Sequence, residues 1–136
     1  MKEIFVEIIT PSKSTYKGQI KSITVPGTIG NFQVLFNHAP LLSTFEIGKI
    51  KLNDTNDKEI EYATSGGTVE VNENKILILA DSAETSEEID IERAKKSYER
   101  AKERLASRGK GDIYIMRAEL ALQRAINRMK FMNASF

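Results

Sequence analysis

The spacing of apolar residues changes period once, near residue 85, and that change limits what the chain can fold into. Before it, apolar positions alternate: Ile4, Val6 and Ile8; Ile20 with Val25 beyond; Phe32, Val34 and Phe36; Ile50 and Leu52; Ile60 and Tyr62; Val69 and Val71; Ile76 and Ile78. Period two is the signature of a strand with one face in a core. The runs are separated by residues that favour turns: Pro11-Ser12, Pro26-Gly27, Asn53 through Asp57, Gly66-Gly67 and Asn72-Glu73-Asn74. Short strands joined this way predict antiparallel connections and a sandwich, and no helical pattern interrupts them, which argues against a doubly wound parallel sheet.

After it, the apolar residues advance by three and four. Thr85 followed by Glu88 has the pattern of a capping box and predicts that a helix starts there. Ile91, Ala94, Tyr98, Ala101 and Leu105 form its seam, which Gly109 and Gly111 stop. Asp112 is placed to cap a second helix with the seam Ile115, Ala118, Leu122, Ala125, Met129 and Met132. A tight turn through Arg108-Gly109-Lys110-Gly111 then makes the pair antiparallel. The expected class is α+β: an N-terminal antiparallel β-sandwich over residues 1–84 and a C-terminal antiparallel two-helix hairpin over 85–136.

Much of the hairpin seam is alanine. At roughly 0.8 kcal/mol per buried methylene, such a seam gains little over the cost of ordering the chain. The hairpin is therefore expected to borrow stability from the sandwich, a ligand or another subunit, which suits a movable regulatory arm. Charge follows the same division. The formal net charge of +1 hides a sandwich with eight lysines, no arginine and eleven acids, and a hairpin with five lysines, seven arginines and eight acids. Arginine offers a planar fork for carboxylates and phosphates, whereas lysine is a solvated point charge. Asp90, Arg93, Arg100 and Arg104 share one face of the first helix, and Arg117, Arg124 and Arg128 form a comparable stripe on the second. Concentrated cations favour a nucleotide phosphate or an acidic protein surface, the plainer reading being an Asp90–Arg93 pair with the other arginines in water.

Enzyme chemistry finds little to stand on. His38 is the only histidine and there is no cysteine, so a multi-histidine or thiolate metal site is excluded and a triad would need an unusual base. Gly27 and Gly30 are not followed by the lysine-serine pair of a phosphate loop, and Gly66-Gly67 precedes a strand pattern; both read as turns. The basic turn at Arg108 lacks interleaved aromatics for stacking on RNA bases. With no secretion signal and no span-length apolar run, the chain is expected to be soluble and compatible with a reducing cytosol.

Five blocks in fixed order carry a family resemblance: Val25-Pro26-Gly27-Thr28-Ile29-Gly30-Asn31-Phe32, His38-Ala39-Pro40-Leu41-Leu42, Ser65-Gly66-Gly67-Thr68-Val69-Glu70-Val71, Ile78-Leu79-Ala80-Asp81-Ser82-Ala83-Glu84, and Arg117-Ala118-Glu119-Leu120-Ala121-Leu122. Over essentially its whole length the chain resembles the epsilon subunit of bacterial F-type ATP synthases; at Phe36-Asn37 it departs from a pattern in which many relatives carry a proline. The resemblance implies a non-catalytic subunit of the rotor stalk of a proton-translocating synthase, at the cytoplasmic face of the cell membrane. The sandwich would bind the gamma subunit and the c-ring, with Gly30, Asn31, Phe32, His38, Ala39 and Pro40 as interface residues near the ring. The hairpin would extend toward the alpha and beta subunits and inhibit ATP hydrolysis. No cofactor is required and no nucleic acid is expected. Ile89-Asp90-Ile91-Glu92-Arg93-Ala94 resembles the motif of ATP-sensing members, which implies Glu84, Asp90, Arg93, Arg100, Arg124 and Arg128 as positions for ATP as a regulatory ligand. The alternative from another class is a free-standing ATP- or RNA-binding regulator.

Overall fold

The computed structural model describes residues 2–106 and 112–133. Among them, strands β1 (Ile4–Ile9), β2 (Ser14–Gly27), β3 (Gly30–Val34), β4 (Leu41–Phe45), β5 (Gly48–Asp54), β6 (Glu59–Thr64), β7 (Gly67–Asn72), β8 (Lys75–Ala80) and β9 (Ala83–Glu84) precede helices α1 (Ile91–Ala106) and α2 (Asp112–Phe131). The chain divides into two compact units, Met1–Thr85 and Ser86–Phe136.

The 14-residue β2 organises the first unit. Its first half pairs with β1, from Ile4 opposite Ile20 to Ile9 opposite Ser14, and its second half lies between β3 and β5. At its end Gly27 stands opposite Phe45 of β4. The strand thus joins a layer of β1, β8, β7 and β4 to a layer of β3, β5, β6 and β9. Register shifts between Ile8 and Ile9 and between Ile20 and Ser22 are bulges, which let a long strand bend from one layer into the other. One pairing departs from the antiparallel expectation: β1 and β8 run parallel, Phe5 opposite Lys75 through Ile9 opposite Leu79. Alternation reports which face of a strand is buried and carries no information about its neighbour's direction.

The alternating positions form the core. Ile4, Val6, Ile8, Ile20, Val25, Val34, Ile50, Leu52, Tyr62, Val69, Val71, Ile76 and Ile78 are at most 3% exposed, and Ile23, Phe45, Ala80 and Ala83 complete the cluster. Phe36 does not continue β3. The strand ends at Val34, and the next turn puts Asn37 at φ 63°, leaving Phe36 half-buried outside the ladder. At Gly67 the chain passes so close to β8 that a Cβ would stand 2.0 Å from the Leu79 carbonyl oxygen.

In the second unit α1 starts at Ile91, later than the Thr85 pattern predicts, and residues 86–88 form a turn. Asp90 is the cap: its Oδ1 accepts the Arg93 N–H at 3.1 Å and its carbonyl accepts the Ala94 N–H at 3.0 Å. A short carboxylate directly before the helix satisfies one of the amides that helix geometry leaves open, and the carbonyl of the same residue accepts the first intrahelical bond. Ile89 and Ala94, both buried, occupy the flanking positions of a hydrophobic staple. The seam follows the sequence pattern, with Ala94, Ala101, Ala118, Ala125 and Met129 buried and Ile91, Tyr98, Leu105, Ile115, Leu122 and Met132 half-buried. α2 ends on Asn133 at φ 55°, whose N–H donates to the Lys130 carbonyl at 3.0 Å, a left-handed terminus that asparagine tolerates. The predicted Arg108-Gly109-Lys110-Gly111 turn lies outside the described residues, as does the Asp112 side chain.

Candidate functional site

The six sandwich residues singled out by sequence fall into two groups. Gly30 and Asn31 are exposed and Phe32 half-buried, at the tight β2–β3 hairpin whose tip, Ile29, is fully exposed. That hairpin needs glycine at position 27, where a Cβ would approach the Gly30 carbonyl oxygen and the Phe32 ring to 2.8 Å. His38, Ala39 and Pro40 adjoin the opposite end of β3, in the loop to β4. Gln33 and Val34 of β3 and the turn through Leu35, Phe36 and Asn37 lie between the groups. The His38 main-chain N–H donates to Leu35 O at 3.2 Å, and its Nδ1 lies 2.7 Å from Ala39 O. A carbonyl only accepts, so Nδ1 carries the proton in that contact.

A third surface was missed. Leu42 is 75% exposed, Leu79 47% and Leu77 36%. The ladder sets Leu42 opposite Glu70 and Glu70 opposite Leu77, so these leucines lie on the outward face of β4, β7 and β8. The signal stood in the unbroken run Ile76-Leu77-Ile78-Leu79-Ala80: a strand apolar on both faces is one that is covered on both.

The candidate nucleotide residues are divided as well. Glu84 sits in β9 of the first unit, opposite Ala63, and the other five lie in the second. The Asp90 carboxylate is engaged by the Arg93 main-chain N–H, as a cap rather than by the guanidinium. Arg93 and Arg100 are exposed on α1, and Arg124 and Arg128 are half-buried on α2. The buried Nε of Arg124 has no hydrogen-bond partner among the described residues. An open depression along α1, lined by Glu92, Lys95, Lys96, Glu99 and Arg100, includes one of the six. Among the described residues no group of three His, Cys, Asp or Glu side chains is placed to hold a metal, and no helix is long and apolar enough to cross a membrane. Tyr16 of β2 has its phenol pKa raised above the usual 10.0, by burial first and then by the Asp54 carboxylate.

Two family descriptions match the two units in order. Residues 3–86 match the β-sandwich domain of the ATP synthase delta/epsilon chain, and residues 87–133 match its long α-helix domain. The chain is 40% identical over 125 residues to an ATP synthase epsilon chain of Desulforamulus reducens, covering 92% of this chain and 93% of that one. It is 44% identical over 124 residues to one from Desulfitobacterium hafniense, covering 91% and 92%. Among solved structures, a chain of the Euglena gracilis mitochondrial ATP synthase OSCP/F1/c-ring assembly superposes with a TM-score of 0.80 at 22% identity, covering 93% of this chain and 79% of that one. A chain of the Tetrahymena thermophila mitochondrial ATP synthase central stalk and c-ring gives 0.60 at 16% identity, covering 95% and 96%. At those identities the likeness concerns the fold.

Proposed function

The chain belongs to the ATP synthase delta/epsilon family, and we propose that it works there as a non-catalytic rotor-stalk subunit whose sandwich couples and whose hairpin regulates. The sandwich binds the gamma subunit and the c-ring of a proton-translocating synthase at the cytoplasmic face of the cell membrane. Two exposed groups of interface residues, one at each end of β3, and the leucine face of β4, β7 and β8 give it several surfaces for a subunit held between partners. The relatives from Desulforamulus reducens and Desulfitobacterium hafniense, both ATP synthase epsilon chains, support this reading.

The hairpin is the regulatory arm, extending toward the alpha and beta subunits to inhibit ATP hydrolysis. One observation carries this part: α2 is apolar on two sides. Ala118, Ala125 and Met129 are buried in its seam, while Met116 and Leu120, four residues apart, are 60% and 40% exposed. A helix with a spare apolar stripe flanked by Arg117, Arg124 and Arg128 is suited to more than one resting place, and its excess of arginine favours acidic surroundings. ATP, held by carboxylates at Glu84 and Asp90 and by Arg93, Arg100, Arg124 and Arg128, stabilises one arrangement by differential affinity. The Arg124 Nε, without a partner among the described residues, is a donor such a ligand would satisfy. The free-standing regulator has no comparable support.

Reconstitution tests both halves. Added to a synthase stripped of this subunit, the chain is expected to co-purify with gamma and to lower ATP hydrolysis, and removal of residues 87–136 is expected to relieve the inhibition while leaving co-purification intact. No association with gamma and no effect on hydrolysis would overturn the assignment. Titration calorimetry with ATP on wild type and Arg93→Ala tests the ligand, with binding expected to weaken in the variant; no heat in either removes the nucleotide role.

A further inference from the structure

The loop that carries His38 is not held by its own strand ends alone. Asn37, at φ 63°, donates its main-chain N–H to the Asn74 Oδ1 at 2.6 Å, and the Asn74 Nδ2 donates back to the Asn37 Oδ1 at 3.2 Å. Asn74 lies 37 residues further along the chain, in the two-residue turn that joins β7 to β8. Glu73 and Asn74 have φ of 48° and 60°, both left-handed, as the turn type that suits a twisted hairpin requires. The Asn74 carbonyl also accepts the Phe5 N–H of β1 at 3.0 Å. One half-buried side chain and its own backbone therefore tie three segments: the start of β1, the β7–β8 turn and the β3–β4 loop.

We propose that Asn74 is a positioning residue for the partner-facing loop Leu35–Pro40: its carboxamide, clasped reciprocally with Asn37, fixes the shape in which His38, Ala39 and Pro40 meet a rotor subunit. The argument is geometric. Asn37 stands in a conformation that few side chains adopt readily, and its amide is turned away from any strand partner, so an acceptor from outside the loop has to hold it there. A carboxamide has both an acceptor and a donor and closes the pair in both directions, which the isosteric carboxylate, an acceptor only, does not. A loop held in its docking shape before contact loses less freedom on binding, so the clasp raises affinity without touching the partner. This rests on the reading that the loop meets a rotor subunit.

The test uses the full-length chain and a synthase stripped of this subunit. Asn74→Gly removes the clasp and keeps a residue that accepts φ 60°, so the β7–β8 hairpin is retained. Losing two hydrogen bonds of ordinary net strength is expected to speed hydrogen exchange at the Asn37 amide by a factor of roughly 5–30 and to weaken binding to the stripped synthase by a similar factor. Asn74→Asp keeps the acceptor for the Asn37 N–H and is expected to fall between Asn74→Gly and wild type. Asn37→Gly keeps both the φ and the N–H donor and supplies a second route should Asn74→Gly fold poorly. Unchanged exchange at residue 37 overturns the clasp. Faster exchange with undiminished binding, while His38→Ala does weaken binding, overturns the positioning role and spares the docking reading. Undiminished binding in both Asn74→Gly and His38→Ala overturns the docking reading and the inference with it.

Discussion

The sandwich and the hairpin bury different materials. In the sandwich the interior is chiefly isoleucine, valine and leucine with one phenylalanine and one tyrosine, large side chains beside which Ala80 and Ala83 are the small members. In the hairpin the buried seam is Ala94, Ala101, Ala118, Ala125 and Met129. Alanine lets two helices approach closely and orders little side chain, yet it removes few methylenes from water. A helix of 16 residues is also near the length at which isolated helices become marginal. The first unit is therefore held by many large buried side chains and the second by a few mostly small ones.

Substitutions make that contrast measurable. The largest effect is expected at Gly67, where any Cβ would overlap the Leu79 carbonyl: Gly67→Val should cost more than about 4 kcal/mol or prevent the sandwich from forming, as read by chemical denaturation. Ile50→Ala, at a fully buried position, should cost about 2–5 kcal/mol and leave helix amides exchanging as in wild type. A sandwich that tolerated it would end the claim that its core fixes the shape. In the hairpin, Asp90→Ala removes the cap and should cost about 1 kcal/mol, seen as lost helical circular dichroism with sandwich exchange unaltered. Smallest is the alkaline limb. Because the folded Tyr16 pKa is raised, its contribution is fully present below pH 10.0 and is lost as pH climbs through the raised value; Tyr16→Phe should remove that part of the decline.

Much of this was legible because burial imposes a period. Ile4-Val6-Ile8 and Ala94-Ala101 were found from spacing alone, and the structure buries them. What spacing did not reveal has physical reasons. The parallel β1–β8 ladder depends on direction, to which alternation is blind. The start of α1 moved from Thr85 to Asp90 because two sites satisfy the same capping rule and the local turn at 86–88 selects between them. β4 was missed because residue type does not follow burial in Leu41-Leu42-Ser43-Thr44-Phe45: exposure alternates along the strand, yet an apolar Leu42 faces outward and a polar Ser43 inward. Of the candidate sites, the residue types were readable and their spacing in the fold was not, since it takes the strand assignment to put Gly30 at the start of β3 and His38 in the loop beyond its end. The Asn37–Asn74 clasp spans 37 residues and leaves no local trace at all.

The parallel ladder also sets the order in which the molecule can be made. β1 is made before β2 to β7 and its parallel partner β8 after them, so one flank of β1 stays open until all the intervening strands have been synthesised. During that interval the backbone N–H and C=O groups along that edge of β1 lack their partner, and a nascent chain stalled before Lys75 would expose a sticky edge to chaperones. Once β8 and β9 have emerged the first unit can close, before the helices that follow it in the chain are made.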